Sequence, residues 1–534
     1  MRRYAFVAQV LGLLAGFYLI CIALVAGLTA LTVVGFAEAG VNRLTLFLSL
    51  VTLAAAFVVV RGVFVSTHLR VRDIAGVEVT AADQPALWHR VHQLAAQVGT
   101  RPPRRIFLVP EVNAAVWENT WLLGLIPGKR QMMVGVPLLM ALTPAQLDAV
   151  LAHELGHYGN RDTRLGGLVG RTRQGVLGAL RAAGSRRKFT LPGAMLFVIV
   201  FRWYAQVVLR VTQEASRAQE YAADRVAAAI SGKVNAIAAL GELQVVDTAF
   251  GFYLDRYVIR GLDIGLLPPP PEVFGGFIGL LAEPSRQTEL DELRREPREE
   301  KADPFDSHPP TPERIAALRS LPDDGIPLDQ SGLKAVAILA NPQDTLAKVA
   351  TRALRNLSTG KEAVSWDALA DATGRRRADE RARPLQDVVA RLTGQPAHMT
   401  TFVKLVEAGR LNEVLDSLPH TVAAQKTNAT GRVAREYAKT ELGAMLGGWI
   451  SGDFARVGRA RWTHSWADID GELQMAAEVK ASIEEAVDAL IAVRPDGSRL
   501  RALVLGTVQP LGTVQPLGTV QPRGTVQPLG TVQP

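Results

Sequence analysis

The chain is 534 residues long, enough for about three or four structural units, and carries a formal net charge of +8 with a pI near 9.7. Hydrophobic residues make up 48% beside 21% charged ones, so the apolar excess has to be concentrated somewhere. A single cysteine, Cys21, excludes a disulfide framework or a cysteine metal cluster within one chain. The arginines flank apolar runs and no nucleic-acid motif is present, so the basic excess points to anionic lipid rather than nucleic acid.

From Tyr4 to Phe36 the sequence is almost uncharged and rich in Leu, Val, Ala and Gly. About 20 such residues cross the hydrocarbon core, and this run is too long for a signal-peptide core. Leu44 to Val60 follows as a second apolar stretch, so residues 1–65 read as two transmembrane helices joined by a short turn from Glu38 to Arg43. Arg2 and Arg3 precede the pair, Arg61, His68, Arg70 and Arg72 follow it, and the turn holds only Arg43. Positive-inside logic places both ends, and whatever follows residue 66, in the cytoplasm.

Residues 66 to 164 read as a soluble α/β piece. Leu87, Val91, Leu94, Ala95 and Val98 share one face of a helix over Pro85–Val98. Arg105–Val109, Val112–Trp117 and Gln131–Val136 are strand candidates. The connection from Glu118 to Arg130 is unusually apolar, with Trp121, Leu122, Leu123, Leu125 and Ile126; it reads as a membrane-touching or cleft-covering loop, or as simple hairpin packing. Thr143, Pro144 and Gln146 then form the start signal of a helix reaching about Tyr158, with a capping box and proline at the first helical position.

Thr190–Leu209 is a third long apolar stretch, interrupted by Arg202 and preceded by Arg186, Arg187 and Lys188. As one span it needs a partner, and residues 165–182 are weakly apolar with Arg171, Arg173 and Arg181. Either that segment crosses, or Thr190–Leu209 enters and returns, or it lies along the interface. Pro268–Pro271 marks a break, and the highly charged residues 283–306 read as a mobile loop. From about 330 to 500 the pattern is Ala/Leu-rich and helical without a motif. Five copies of the hexapeptide [L/R]GTVQP, starting at Leu505, form a low-complexity tail expected to be disordered.

The chemistry resides in His153-Glu154-Leu155-Gly156-His157. Residues four apart on a helix project from one face, so the two imidazoles can hold one Zn²⁺ and Glu154 lies beside a water on the metal, whose proton it can take. A catalytic zinc needs a third protein ligand and an open position. Position 163, where metzincins place a histidine, is Thr163. That leaves an acid on a later helix, and Glu220 stands out, with Asp224 one turn on to accept the free N–H of a ligand histidine. Taken alone, an acidic pair at this spacing is usually a solvated face.

HELGHYGNRD followed by SRAQEYAAD resembles the HtpX-like membrane zinc endopeptidases, relatives of the CAAX prenyl endopeptidases. The likeness extends upstream to Asn113-Ala114-Ala115 and downstream to SHPPTPERI at 307–315, covering about residues 66–320. It implies one Zn²⁺ per chain, His153, His157 and Glu220 as ligands, and Glu154 as base. It also implies substrate backbone binding by strand addition along Asn113, Ala114 and Ala115. His308 is expected either beside the site, stabilising the oxyanion, or as a structural contact ahead of a helix at 312–320. Arg217 is expected to pair with an acidic group near the site, and Tyr221 to pack.

The expected fold is a mainly α membrane protein. It has a transmembrane hairpin, a zincin-like catalytic domain with a small β-sheet at 66–320 that includes one or two further membrane segments within 165–212, a helical region at 321–504 and the tail at 505–534. The expected activity is hydrolysis of membrane or misfolded proteins at the cytoplasmic face of the inner cell membrane. A processing peptidase for lipidated or C-terminal peptides and an inactive membrane scaffold are the alternatives. The oligomeric state is not legible.

Overall fold

The computed structural model describes residues 2–64, 76–118, 129–159, 192–295, 309–419, 431–492 and 495–508. Contacts divide the chain into two units, Met1–Val364 and Ser365–Pro534. The segment 165–182, most of the apolar connection after Glu118, His308 and the tail beyond Val508 lie outside the described residues.

The first unit begins with two antiparallel helices, α1 (Arg2–Ala39) and α2 (Arg43–Phe64). Asn42 turns the chain: its Oδ1 accepts from the backbone N–H of Leu44 and Thr45. The pair is joined by hydroxyls, with Thr32 and Thr52 2.9 Å apart and Thr45 almost fully buried. Leu19, Ile22, Leu31, Val33 and Leu53 are all more than half exposed, so the outer faces of the pair are apolar and uncovered. The continuous apolar stretches in the fully described part are Val25–Ala39 and Arg43–Leu53, each shorter than the span read from sequence. Among the described residues the one helical run long and apolar enough to cross a membrane is Lys233–Ile264. Sequence reading did not single that run out, and it packs on the elements that carry the site.

A four-stranded sheet follows, in the order β1 (Val77–Val79), β2 (Ile106–Val109), β4 (Arg130–Gly135), β3 (Ala114–Glu118). β2 is wholly buried and pairs antiparallel with β1 and parallel with β4. β3 pairs antiparallel with β4 and forms the sheet edge. Helix α3 (Pro85–Val98) buries Leu87, Val91, Leu94 and Ala95 and ends at Gly99, whose φ of 73° supplies the left-handed cap. β4 runs straight into α4 (Val136–Ala141). At this junction the Gly135 N–H donates to Asn113 O at 2.7 Å. A Cβ on Gly135 would meet Asn113 O and N at 2.7 and 2.9 Å and collide with the Glu111 carbonyl. Gly135→Ala is therefore expected to lower stability by about 1–3 kcal/mol and to push the start of β3 outward; thermal unfolding in detergent against wild type measures it.

Helix α5 (Pro144–Gly156) starts as the sequence requires. The Thr143 side chain accepts from the Gln146 N–H while the Gln146 side chain accepts from the Thr143 N–H. Helix α6 (Pro192–Ser231) is 40 residues long, hence about 60 Å. Its first half exposes Ile199 and Trp203; its second half buries Ser216, Glu220 and Asp224. Helix α7 (Lys233–Tyr253) crosses back over α5 and α6 and continues into a π turn, Leu254–Val258.

Pro268–Pro271 follows β5 (Leu266–Leu267) directly and runs into a 3-10 turn, Pro270–Glu272. Helices α8 (Val273–Ala282), α9 (Pro284–Arg295) and α10 (Thr311–Arg319) follow. The expected mobile loop from 283 is thus helical as far as Arg295. Arg294 pairs with Asp291 within the helix and with Glu242 of α7, and Leu290 is buried, so the charges dock the segment.

The first unit also extends beyond residue 320. The Ala335 N–H donates to Leu142 O, Gln84 Nε2 donates to Ala340 O and Thr345 Oγ1, and Asp329 accepts from the Ala145 N–H at the start of α5. Helix α11 (Pro342–Leu354) and β6 (Glu362–Ala363), parallel to β5, complete it.

The second unit comprises α12 (Trp366–Thr393), α13 (Met399–Glu407), α14 (Leu411–Ser417), α15 (Gly431–Arg456), α16 (Ala477–Ile491) and α17 (Ser498–Val508). A hairpin of β7 (Arg461–Thr463) and β8 (Glu472–Gln474) is the β structure among its described residues. Leu385, Phe402, Leu446, Trp449, Leu490 and Leu500 form its core. Helix α17 takes in the first residues of the hexapeptide array.

Candidate functional site

His153 and His157 lie one turn apart at the end of α5, their rings 4.8 Å apart and nearly perpendicular. Both face α6 because Gly156, between them, lets the helices approach: a Cβ there would be 3.3 Å from Ala223 Cα. This brings the buried Glu220 carboxylate between the two rings. Glu220 Oε2 is 3.4 Å from His153 Nε2, and Oε1 is 3.5 Å from His157 Nε2. Ligands at about 2.0–2.1 Å around a tetrahedral zinc stand about 3.3–3.4 Å from one another, so these donors fit such an ion. Nitrogen and carboxylate donors of His153, Glu154 and His157 also lie within 4.8 Å of one another.

One turn beyond Glu220, Asp224 Oδ1 is 2.9 Å from His153 Nδ1. That contact keeps a proton on Nδ1, so Nε2, which faces Glu220, is the nitrogen left to bind a metal once it gives up its own proton. Arg314 of α10 lies beneath, buried, donating to Asp224 through Nε at 2.9 Å and a terminal nitrogen at 2.6 Å. Burial alone pushes the Asp224 carboxyl up, but Arg314 and His153 outweigh it and hold it below the usual carboxylate range. Burial likewise pulls the His153 imidazole down, but Asp224 and Glu220 outweigh it and raise its pKa to about 9.

A group raised in this way adds stability below its unfolded pKa, near 6.5, and loses that contribution as pH climbs through about 9. Chelator-treated protein is therefore expected to melt at a lower temperature at pH 9.5 than at pH 6. No fall across that window would show that His153 is not held protonated by its carboxylates.

A cavity of about 370 Å³ opens beside His153 and Glu154. Asn113 and Ala114 line it; Ala115 does not. The β3–β4 register, with Asn113 O bonded to Gly135, turns residues 113, 115 and 117 toward β4 and the backbone groups of Ala114 and Val116 outward. Of those, the Val116 carbonyl accepts from Tyr158 Oη at 3.0 Å, which ties the end of α5 to the edge strand. Arg130 stacks on the Tyr158 ring at 4.4 Å and pairs with the buried Glu118, bracing that link.

The residues expected from sequence divide into three groups. His153, Glu154, His157, Glu220 and Asp224 come together, with Asn113 and Ala114 on the cavity wall. Arg217 does not join them: its charge falls beside Tyr221, whose hydroxyl donates to Glu313. The arginine that pairs with Asp224 is Arg314, which the sequence signalled only as the arginine of SHPPTPERI. His308 lies outside the described residues, although Pro309, the next residue, lines the cavity.

A helix carrying His-Glu-x-x-His, packed on a second helix that presents a buried glutamate to both imidazoles, defines a protease of the metallopeptidase class. The model of peptidase family M48 matches residues 81–322. The chain is 26% identical over 269 residues to a protease HtpX homolog of Pseudarthrobacter chlorophenolicus, covering 49% of this chain and 80% of that one. It is 30% identical over 243 residues to a protease HtpX homolog of Acidiphilium cryptum, covering 44% of this chain and 74% of that one. The chain belongs to peptidase family M48. Among solved structures, that of S. mikatae Ste24p aligns with 56% of this chain and 64% of its own at 16% identity, with a TM-score of 0.27, too low to bear on the fold.

Proposed function

We propose that the protein is a membrane-bound zinc endopeptidase in which His153, His157 and Glu220 hold the metal and Glu154 is the general base. The observation that carries this is the Glu220 carboxylate set 3.4 and 3.5 Å from the two Nε2 atoms. A mixed imidazole–carboxylate donor set of this size suits zinc, which when bound would polarise a peptide carbonyl and acidify a water.

The remaining tasks fall to this chain's own groups. Asp224 keeps the His153 proton on Nδ1, and Arg314 keeps Asp224 ionised. Glu154 faces the cavity, where it takes the proton of the attacking water and passes it to the departing amine. The outward backbone groups of Ala114 align an extended substrate antiparallel to β3. The apolar outer faces of α1 and α2, and the exposed Ile199 and Trp203 of α6, sit in lipid, anchoring the catalytic unit at the cytoplasmic face of the inner cell membrane. Membrane or misfolded proteins are the substrates that such a position presents.

The test is metal and activity together, on full-length protein in detergent. One zinc per chain is expected, with casein cleavage that a chelator stops and added zinc restores. Glu220→Ala is expected to lose both. Protein purified without a tightly held transition metal, or Glu220→Ala retaining metal and activity, would overturn the assignment.

A further inference from the structure

Substrate pairing along β3 depends on which backbone groups that edge still offers. The ladder turns those of Ala114 and Val116 away from β4. An antiparallel substrate would exchange two hydrogen bonds with Ala114, and its residue two places nearer the amino-terminus would do the same with Val116. The Val116 carbonyl, however, already accepts from Tyr158 Oη at 3.0 Å. That hydroxyl takes the place of the substrate amide, whose bond to the carbonyl would have the same length. Tyr158 is held there from several sides. It directly follows His157 in the turn that ends α5, its N–H donating to Leu155 O. Its carbonyl accepts from Thr100 Oγ1 at 2.9 Å, and its ring stacks on the Arg130 guanidinium at 4.4 Å. Glu118, Thr100 Oγ1 and the Arg101 carbonyl fix Arg130 in turn, and Arg130 and Glu118 are buried.

We infer that Tyr158 is a specificity-determining residue that ends substrate pairing at Ala114. This rests on the proposed function above. Ala114 lines the same cavity as Glu154, so the substrate residue facing it adjoins the bond under attack. Within about two residues of that point, toward its amino-terminus, the substrate backbone begins or turns away from the sheet. The substrate class is therefore a polypeptide cut close to a free amino-terminus or to a bend in the chain, rather than within a long extended segment.

The experiment scans backbone N-methylation along a peptide with one cleavage site, selected from a library and cut by full-length, zinc-loaded protein in detergent. Each methyl removes one amide donor, and kcat/KM is read against the parent peptide. Outside the scissile amide itself, wild type is expected to show one sensitive position, losing about 2–10-fold. The position two residues nearer the amino-terminus is expected to lose less than about twofold. Tyr158→Phe removes the hydroxyl and Tyr158→Ala the whole side chain. Either is expected to make that second position sensitive, by about 2–10-fold, with zinc content unchanged. Two sensitive positions in wild type spaced by two residues, or none, or a scan unmoved in both folded variants, overturns the inference. The wild-type scan decides alone if circular dichroism shows both variants to be misfolded. A wild type that holds no zinc, or cleavage undiminished in Glu154→Gln, overturns the proposed function instead.

Discussion

Glu154→Gln is expected to reduce peptide hydrolysis by about 10²–10⁴-fold while leaving zinc content and thermal stability close to wild type. Glutamine keeps the size and the acceptor oxygen of glutamate but cannot take a proton at neutral pH. His153 and His157 contact Glu220 and Asp224 on α6, so the substitution leaves the side chains proposed to hold the metal in place. The readouts are kcat on casein or a library-derived peptide, and bound zinc by elemental analysis. Equal activity in both proteins would remove Glu154 from its role. Loss of metal together with activity would assign it to the ligand set, where its donor atoms also reach.

Arg314→Ala is expected to have the largest effect on stability, about 3–5 kcal/mol, against a total of about 5–15 kcal/mol for a folded unit. Arg314 and Asp224 are 8% and 3% exposed and share two hydrogen bonds, so removing the guanidinium leaves an ionised carboxyl buried without its main counter-charge. Part of that cost is relieved by protonating Asp224, which in turn loosens its hold on His153 Nδ1 and is expected to weaken zinc binding about 10–100-fold. Arg314→Lys should recover only part of either loss, since an ammonium cannot repeat the two-point contact. Thermal unfolding with and without chelator separates the two effects. An Arg314→Ala protein with wild-type melting temperature and zinc affinity would show the pair to be dispensable.

Part of this site is legible in residue order because part of its physics is local. Four-residue spacing on a helix sets His153 against His157, and Glu220 against Asp224, whatever the rest of the chain does. The reciprocal bonds of Thr143 and Gln146 fix where α5 begins, and the apolar periodicity of Leu87, Val91 and Leu94 marks α3. Three strands of the main sheet, β2, β3 and β4, were readable to within a residue or two for the same reason, whereas the short β1 was not, and the family resemblance was carried by short contiguous motifs.

What residue order did not reveal was decided by pairs far apart in the chain. The family resemblance implied that Arg217 pairs with an acidic group near the site, yet the cation that meets Asp224 is Arg314, ninety residues on, because α10 packs against α6 and α7. Local charge density made 283–306 look like a loop; the pairing of Arg294 with Glu242 shows why the segment from Pro284 to Arg295 is a docked helix. The boundary at Val364, rather than near 320, rests on bonds such as Gln84 to Ala340 that have no local signature. The sequence by itself thus determined which groups can share a helix face, since helical geometry follows from backbone sterics alone. Which faces meet was left to the tertiary structure, because burial of charge and close helix approach at Gly156 depend on partners that only the folded chain brings within reach.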